Sequence, residues 1–296
     1  MANLRRIRER IASIQNTQQI TRAMKMVAAA KLRKAQNQIV ATRPYAQKLE
    51  SVVTNLVHNI DYHSRFLNPV ENPQKILFII VGSDRGLCGG FNNNLFKVLE
   101  ARISSDFNEH KRAGNLDFIC IGKKASDYFS KRKLNVVAKH PGFFENLRFE
   151  HAHDIMRDVI RDFGMGTYDS VFVVYNEFKS VIAQNRKIEQ LLPLKSIGVS
   201  GVDESGQTFS TDYLFEPSPQ QIIEKLIPLH LNTQLWKAVL ESNASEQGAR
   251  MTAMDNATEN AKELMRNLRL EYNQARQAAI TTELTEIVSG AQALSE

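Results

Sequence analysis

The sequence predicts an α/β protein in which a long antiparallel coiled coil, made from the two ends of the chain, carries an inserted α/β domain. Three observations predict it. The last stretch, 218 to about 294, keeps a three-four apolar repeat, and the first, 3 to 56, keeps another. Between them, short and mostly apolar runs, fully apolar at Ile76–Val81, alternate with amphipathic segments, the pattern of a mainly parallel sheet flanked by helices.

The C-terminal helix has a marked start. Ser218 is placed to N-cap, Pro219 stands at the first helical position, and Gln221 completes a Ser-x-x-Gln capping box. From Met251 the seam runs Met251, Met254, Thr258, Ala261, Met265, Leu268, Tyr272, Ala275, Ala279, with Thr258 its one polar member. After Ala279 the stripe moves one position and continues as Ile280, Leu284, Ile287, Ala291 and Leu294, so the end of the helix faces something different from its middle. A helix of about 75 residues spans on the order of 110 Å. No compact domain of this size could bury that length, so the seam predicts a partner.

The N-terminal helix supplies one. Asn3 can cap it, and its apolar positions are Leu4, Ile7, Ile11, Ile14, then Ile20, Met24, Val27, then Ala28, Leu32, Ala35, Ile39, Thr42, Ala46, Leu49, Val53, Leu56. Pro44 inside a helix costs about 3 kcal/mol, which predicts a bend or brief break over 43–45. Small seam residues (Ala28, Ala35, Ala261, Ala275, Ala279) allow close approach of two paired backbones. A larger bundle containing both helices fits the same periodicity. The expected domains are 1–58 and 218–296 for the coiled coil and 75–200 for the α/β insert.

Within the insert, strands are expected at Ile76–Val81, Leu116–Ile121, Leu134–Ala138, Ser170–Tyr175 and Ile188–Leu194, with helices at Asn93–Lys111, Lys123–Lys131 and His151–Phe163. This is a Rossmann-like alternation. The loop after the first strand, GSDRGLCGGFN (Gly82 to Asn92), has the glycines of a phosphate-binding turn but matches neither Gly-x-x-x-x-Gly-Lys-Ser/Thr nor Gly-x-Gly-x-x-Gly. His151 and His153 are two apart and fall on different helix faces, and Asp154, Asp158 and Asp162 are interleaved with Arg157 and Arg161 as in a solvated stripe. Cys88 and Cys120 fit no metal-ligand spacing. Neither catalytic residues nor a bound cofactor or metal are expected, and the chain reads as a protein that works by contact.

Charge adds a direction. The net charge is +6, but residues 1–48 carry eleven Lys or Arg against Glu9 alone, giving +10, while 49–217 and 218–296 carry −1 and −3. Arg5, Arg6 and Arg8 sit where the helix dipole disfavours cations, so an acidic partner would relieve them. A basic arm for nucleic acid fits that charge too, and an enzyme built on the α/β insert would need a ligand at the Gly82–Asn92 loop; both readings stay open on charge and spacing alone. With no apolar run of 18 residues and no signal-peptide apolar region, a cytoplasmic protein is expected.

Over essentially its whole length the chain resembles the gamma subunits of bacterial rotary ATP synthases. The resemblance rests on IASIQNTQQITRAMKMVAAAKLRKAQ (Ile11 to Gln36), SDRGLCGGFN, YLFEPSP (Tyr213 to Pro219) and ARQAAITTELTEIVSGAQAL (Ala275 to Leu294). It implies a non-catalytic rotor shaft whose coiled coil fills a ring of alternating alpha and beta subunits, one copy per three of each. The α/β insert would be a foot on the membrane c-ring beside epsilon and delta, at the cytoplasmic face of the bacterial inner membrane, with no nucleic acid bound. By the same resemblance Arg22, Met24, Lys25, Arg85, Cys88, Arg276, Gln277 and Thr281 would meet beta. Leu284, Ile287, Ala291 and Leu294 would form the apolar tip in a bearing, and Phe215 and Glu216 would face epsilon and the c-ring. The thiol-regulatory insert of the chloroplast relatives is not expected.

Overall fold

The computed structural model describes residues 2–59, 64–194 and 218–295. In chain order the elements are α1 (Ala2–Asn59), β1 (Ile76–Val81), α2 (Phe91–Asp106), α3 (Asn108–Arg112), β2 (Leu116–Ile121), α4 (Lys123–Lys131), β3 (Asn135–His140), α5 (Phe149–Gly164), β4 (Ser170–Phe178), β5 (Gln184–Leu192) and α6 (Pro219–Ser295). The chain divides into two compact units, one of Met1–Ala29 with Arg250–Glu296 and one of Ala30–Ala249. No described helix is long and apolar enough to cross a membrane.

In the larger unit one five-stranded sheet has the order β3-β2-β1-β4-β5, parallel throughout except for β5. β1 and β2 are buried on both faces, which is why β1 reads as an unbroken apolar run and β2 as one broken only by Asp117, whose buried carboxylate pairs with Lys75 and accepts from the Tyr168 hydroxyl. One face packs α2 and α4 through Leu95, Phe96, Leu99, Ala125 and Phe129. The other packs α5 through Ala152, Ile155, Met156, Val159 and Phe163, and the first turns of α6 through Ile223, Ile227, Leu231, Leu235 and Ala238. The helical spacing of those residues, three and four apart, is what puts each set on one side.

Several expected boundaries move, each for a physical reason. The single helix expected over 93–111 is two, because the chain breaks at Phe107 and turns its ring onto Phe78 and Phe172, with centroids 5.6 Å from each. β3 lies later than expected and carries a bulge against Phe118/Ile119. β4 extends to Phe178 and β5 starts at Gln184, because their pairing is fixed by a tight hairpin closed by Ser180 and Ala183. α1 begins at Ala2, so Asn3 lies inside it rather than capping it, and it runs unbroken through Pro44. Pro44 is exposed, and the carbonyl it leaves unbonded belongs to Val40, also on the exposed side, where water can reach it. Ser218 caps α6 as expected, its Oγ accepting the Gln221 N–H at 3.4 Å.

In the smaller unit α1 and α6 are antiparallel, since Arg8 meets Tyr272, Thr21 meets Thr258 and Lys25 meets Asp255. The α6 seam is the expected one: Met254, Thr258, Ala261, Met265 and Leu268 are buried, and Met251, Tyr272, Ala275 and Ala279 half-buried. The α1 seam is not. It keeps strict three-four spacing through Leu4, Ile7, Ile11, Ile14, Gln18, Thr21, Lys25 and Ala28, so Ile20 and Val27, expected inside it, stand 60% and 56% exposed beside it.

Candidate functional site

The carboxyl ends of β1 and β4 are where the strand order reverses, the place at which doubly wound sheets hold ligands. Here that crevice is filled by α6. The Ser242 hydroxyl donates to the Val81 carbonyl (3.1 Å) and the Ser245 hydroxyl to the Asn176 carbonyl (3.0 Å). Glu241 accepts the Phe178 N–H (3.0 Å) and pairs with Arg43, and Gln184 donates to the Ser245 carbonyl. Glu241, Ser242, Ser245 and Asn176 are all buried. The glycine loop thus lacks a phosphate motif, and the crevice beside it is taken by the chain's own helix. Among the described residues, no group of three or more His, Cys, Asp and Glu could hold a metal.

The loop from Gly82 to Asn92 is tied down from below. Asp84 accepts three backbone N–H groups, from Lys123 (3.0 Å), Gly142 (2.7 Å) and Phe144 (2.9 Å), so one carboxylate clamps the loops that follow β1, β2 and β3. Asn92 and Ser83 exchange hydrogen bonds at 3.0 and 2.7 Å. Cys88 is buried against them, with Asn92 Nδ2 3.4 Å from its Sγ, so it supports the loop from inside rather than presenting its thiol. What the loop does present is Leu87, exposed and held at φ 61°, a conformation a branched side chain adopts only under roughly 1–2 kcal/mol of strain. Arg85 is exposed and pairs with exposed Glu145 at 3.4 Å.

The smaller unit carries most of the remaining expected contact residues. Thr21 and Thr258 face each other across the seam, hydroxyl to hydroxyl at 2.8 Å, and Thr258 also donates to the Met254 carbonyl at 2.7 Å. Thr21 likewise reaches the Gln18 carbonyl at 3.0 Å, so one of the two hydroxyls donates to the other and the second donates back to its own helix. Lys25 is compensated by Asp255 and Met24 is half-buried, whereas Arg22 is exposed with no ion-pair partner among the described residues. On α6, Arg276, Gln277 and Thr281 are exposed together, and the Thr281 hydroxyl donates back to the Gln277 carbonyl at 3.0 Å.

Beyond them nothing described covers the apolar stripe. Leu284 is 57% exposed, Ile287 68% and Val288 61%, and Ala291 is exposed as well. Val288 escaped the sequence reading because it lies one position off the stripe. Phe215 and Glu216 lie outside the described residues, as does the side chain of Leu294. Also missed were Asp84, Ser242 and Ser245, whose partners are backbone groups that no sequence pattern marks.

Comparison with known proteins gives these surfaces a context. A family model described as ATP synthase matches residues 3–294. The ATP synthase gamma chain of Chlorobaculum parvum is 50% identical over 297 residues, covering all of both chains, and that of Chlorobaculum tepidum is 49% identical over the same length. Among solved structures, the rotor of the Euglena gracilis mitochondrial ATP synthase aligns with TM-score 0.68 at 22% identity, over 94% of this chain and 99% of that one. The central stalk and c-ring structure of the Tetrahymena thermophila mitochondrial ATP synthase contains a chain that aligns with TM-score 0.59 at 25% identity, over 80% of this chain and 99% of that one.

Proposed function

The chain belongs to the family of ATP synthase gamma chains, the central-stalk rotor subunits, and we propose that it couples ion-driven rotation of a membrane c-ring to ATP synthesis or hydrolysis on the beta subunits without a catalytic site of its own. The observation that carries this reading is the change along α6: a seam buried against α1 up to Ala279, then four turns whose Ile280, Leu284, Ile287 and Val288 face outward. Apolar side chains left that bare on one helix end mark a surface that a partner covers.

In the proposed assembly one copy stands inside a ring of three alpha and three beta subunits, at the cytoplasmic face of the bacterial inner membrane. The tip (Leu284, Ile287, Ala291, Leu294) turns in the apolar collar of that ring. Exposed Arg276, Gln277 and Thr281 offer polar contacts to a beta loop. Arg22, Met24 and Lys25 meet an acidic segment of beta, and Arg85, on the glycine loop that Cys88 holds in place, makes a contact of its own with beta. Exposed Ile20 and Val27 flank the basic face and add apolar contact to it. The α/β domain, 75–200, serves as the foot, and Phe215 and Glu216 face epsilon and the c-ring, with delta elsewhere in the assembly.

The mechanism needs no chemistry on this chain. Because the shaft's sides differ, each orientation makes different contacts with each beta subunit, and a difference in contact energy is what shifts a conformational equilibrium. Rotation then moves that bias from one subunit to the next.

The test is co-expression with the cognate alpha and beta subunits, followed by size-exclusion chromatography and ATPase assay. One copy per three alpha-beta pairs, with hydrolysis dependent on it, supports the reading. A chain that stays out of the ring and retains nucleic acid in a salt-sensitive way contradicts it.

A further inference from the structure

We propose that Glu241, Ser242 and Ser245 of α6 are positioning residues for torque transfer, forming the joint through which the α/β sheet and the part of this helix packed on it turn as one body; the proposal rests on the rotor reading above. The first turns of α6 meet the sheet face through Ile223, Ile227, Leu231, Leu235 and Ala238. Apolar contact of that kind is non-directional and resists separation more than sliding or rotation. Hydrogen bonds weaken steeply away from their preferred distance and angle, so they resist both.

The directional bonds are concentrated in two turns. Ser242 and Ser245, three apart and on one face, reach the carbonyls of Val81 at the end of β1 and Asn176 near the end of β4. Glu241 accepts the N–H of Phe178 at the last residue of β4, and Gln184 at the start of β5 closes onto the Ser245 carbonyl. Asn176 in turn sits 3.5 Å from the Phe91 carbonyl at the start of α2. Glu241 also pairs with Arg43, which brings α1 into the same knot. Ser242, Ser245 and Asn176 are fully buried, so water cannot stand in for a lost partner without an opening of the joint. A fold that elsewhere keeps this crevice for a ligand has used it to anchor a helix. Two small hydroxyl side chains suit the task because they bond strand-end carbonyls without holding the helix away from them.

The experiment uses the complete enzyme reconstituted in vesicles, with ATP hydrolysis and ATP-driven ion pumping measured together while the opposing ion gradient is raised. Ser242→Ala/Ser245→Ala is expected to keep hydrolysis at low load and to lose pumping as load rises, lowering the pumping-to-hydrolysis ratio on the order of twofold or more. Hydrogen exchange of the amides at 176–178 and 241–248 should quicken by roughly fivefold per bond removed. Val159→Ala, which trims the same core from α5 and touches no joint bond, separates joint loss from general loosening: it should leave the ratio at the wild-type value. An unchanged ratio in the serine variant, or an equal fall in both variants, overturns the proposal. Should the double variant fail to assemble, Gln184→Ala, which removes one bond from a half-exposed strand residue, decides the question by the same ratio. A wild-type enzyme that pumps nothing contradicts the rotor reading instead, and is thereby told apart from failure of the joint.

Discussion

Replacing Thr21 with valine tests the buried polar pair that crosses the seam of the smaller unit. Valine keeps the shape of threonine and removes the hydroxyl that shares a hydrogen bond with the Thr258 hydroxyl across 2.8 Å. With Thr21 gone the Thr258 hydroxyl keeps the Met254 carbonyl, so Thr21→Val takes away the one hydrogen bond between these two side chains, about 1 kcal/mol. The new methyl recovers part of this by burial, leaving a net loss somewhat below about 1 kcal/mol. Thr258→Val costs a similar amount, because the Thr21 hydroxyl then keeps only the Gln18 carbonyl at 3.0 Å. With both residues valine, no polar atom is left unsatisfied, and stability should return close to the wild-type value. The cycle therefore has a coupling energy of about 1 kcal/mol, read from native-state hydrogen exchange of amides 18–28 and 252–262 in the full chain. Register should hold in the double variant, since a slip of one heptad would set Lys25 against Lys262 instead of Asp255 and would part Arg8 from Tyr272. Additive single effects, or single effects below about 0.3 kcal/mol, would refute the account of this pair.

Asp84→Ala should destabilise the α/β domain by about 2–4 kcal/mol, because it strips an acceptor from three backbone N–H groups; denaturant unfolding checks this, and exchange at 142–144 should rise. His230 is held neutral by burial, which lowers its pKa from 6.5 against an opposing pull from Glu50 and with a smaller push from Lys237. The unfolded chain then binds the extra proton first, so stability should fall as pH drops below 6.5, and His230→Gln should flatten that slope in thermal melts taken across pH 5 to 7, a window of about one and a half units below the ordinary value. Gln277→Leu should weaken coupling in the assembled enzyme without unfolding the chain, because Gln277 is fully outward; unchanged ATP synthesis would remove its proposed role.

The sequence was most legible where burial is complete. β1 and β2 are enclosed on both faces, and their bounds follow from runs that are apolar but for Asp117 in β2. At the sheet edges the signal fades: β5 is largely polar and charged, and it is a strand because β4 pairs with it, not because its own side chains demand a core. The α1 seam shows the same limit in another form. Apolarity pointed to Ile20 and Val27, while the helix buries Thr21 and turns Gln18 and Lys25 toward its partner. Unbroken three-four spacing from Leu4 to Ala28 was the signal that could have found them. An apolar residue that faces another subunit looks the same in sequence as one that faces its own helix. For the candidate contacts, the shift of stripe after Ala279 was readable and matches the exposed end of α6. The work of Asp84, Ser242 and Ser245 was not, because each bonds backbone groups far away in the chain.

The central claim is that this chain turns as a rotor shaft, and the direct measurement is rotation. With the ring of the assembled complex fixed to a surface and a probe attached to the α/β domain at an exposed position such as Ile182, ATP should drive stepwise rotation in one direction. A probe that stays still while the same complex hydrolyses ATP would contradict the account.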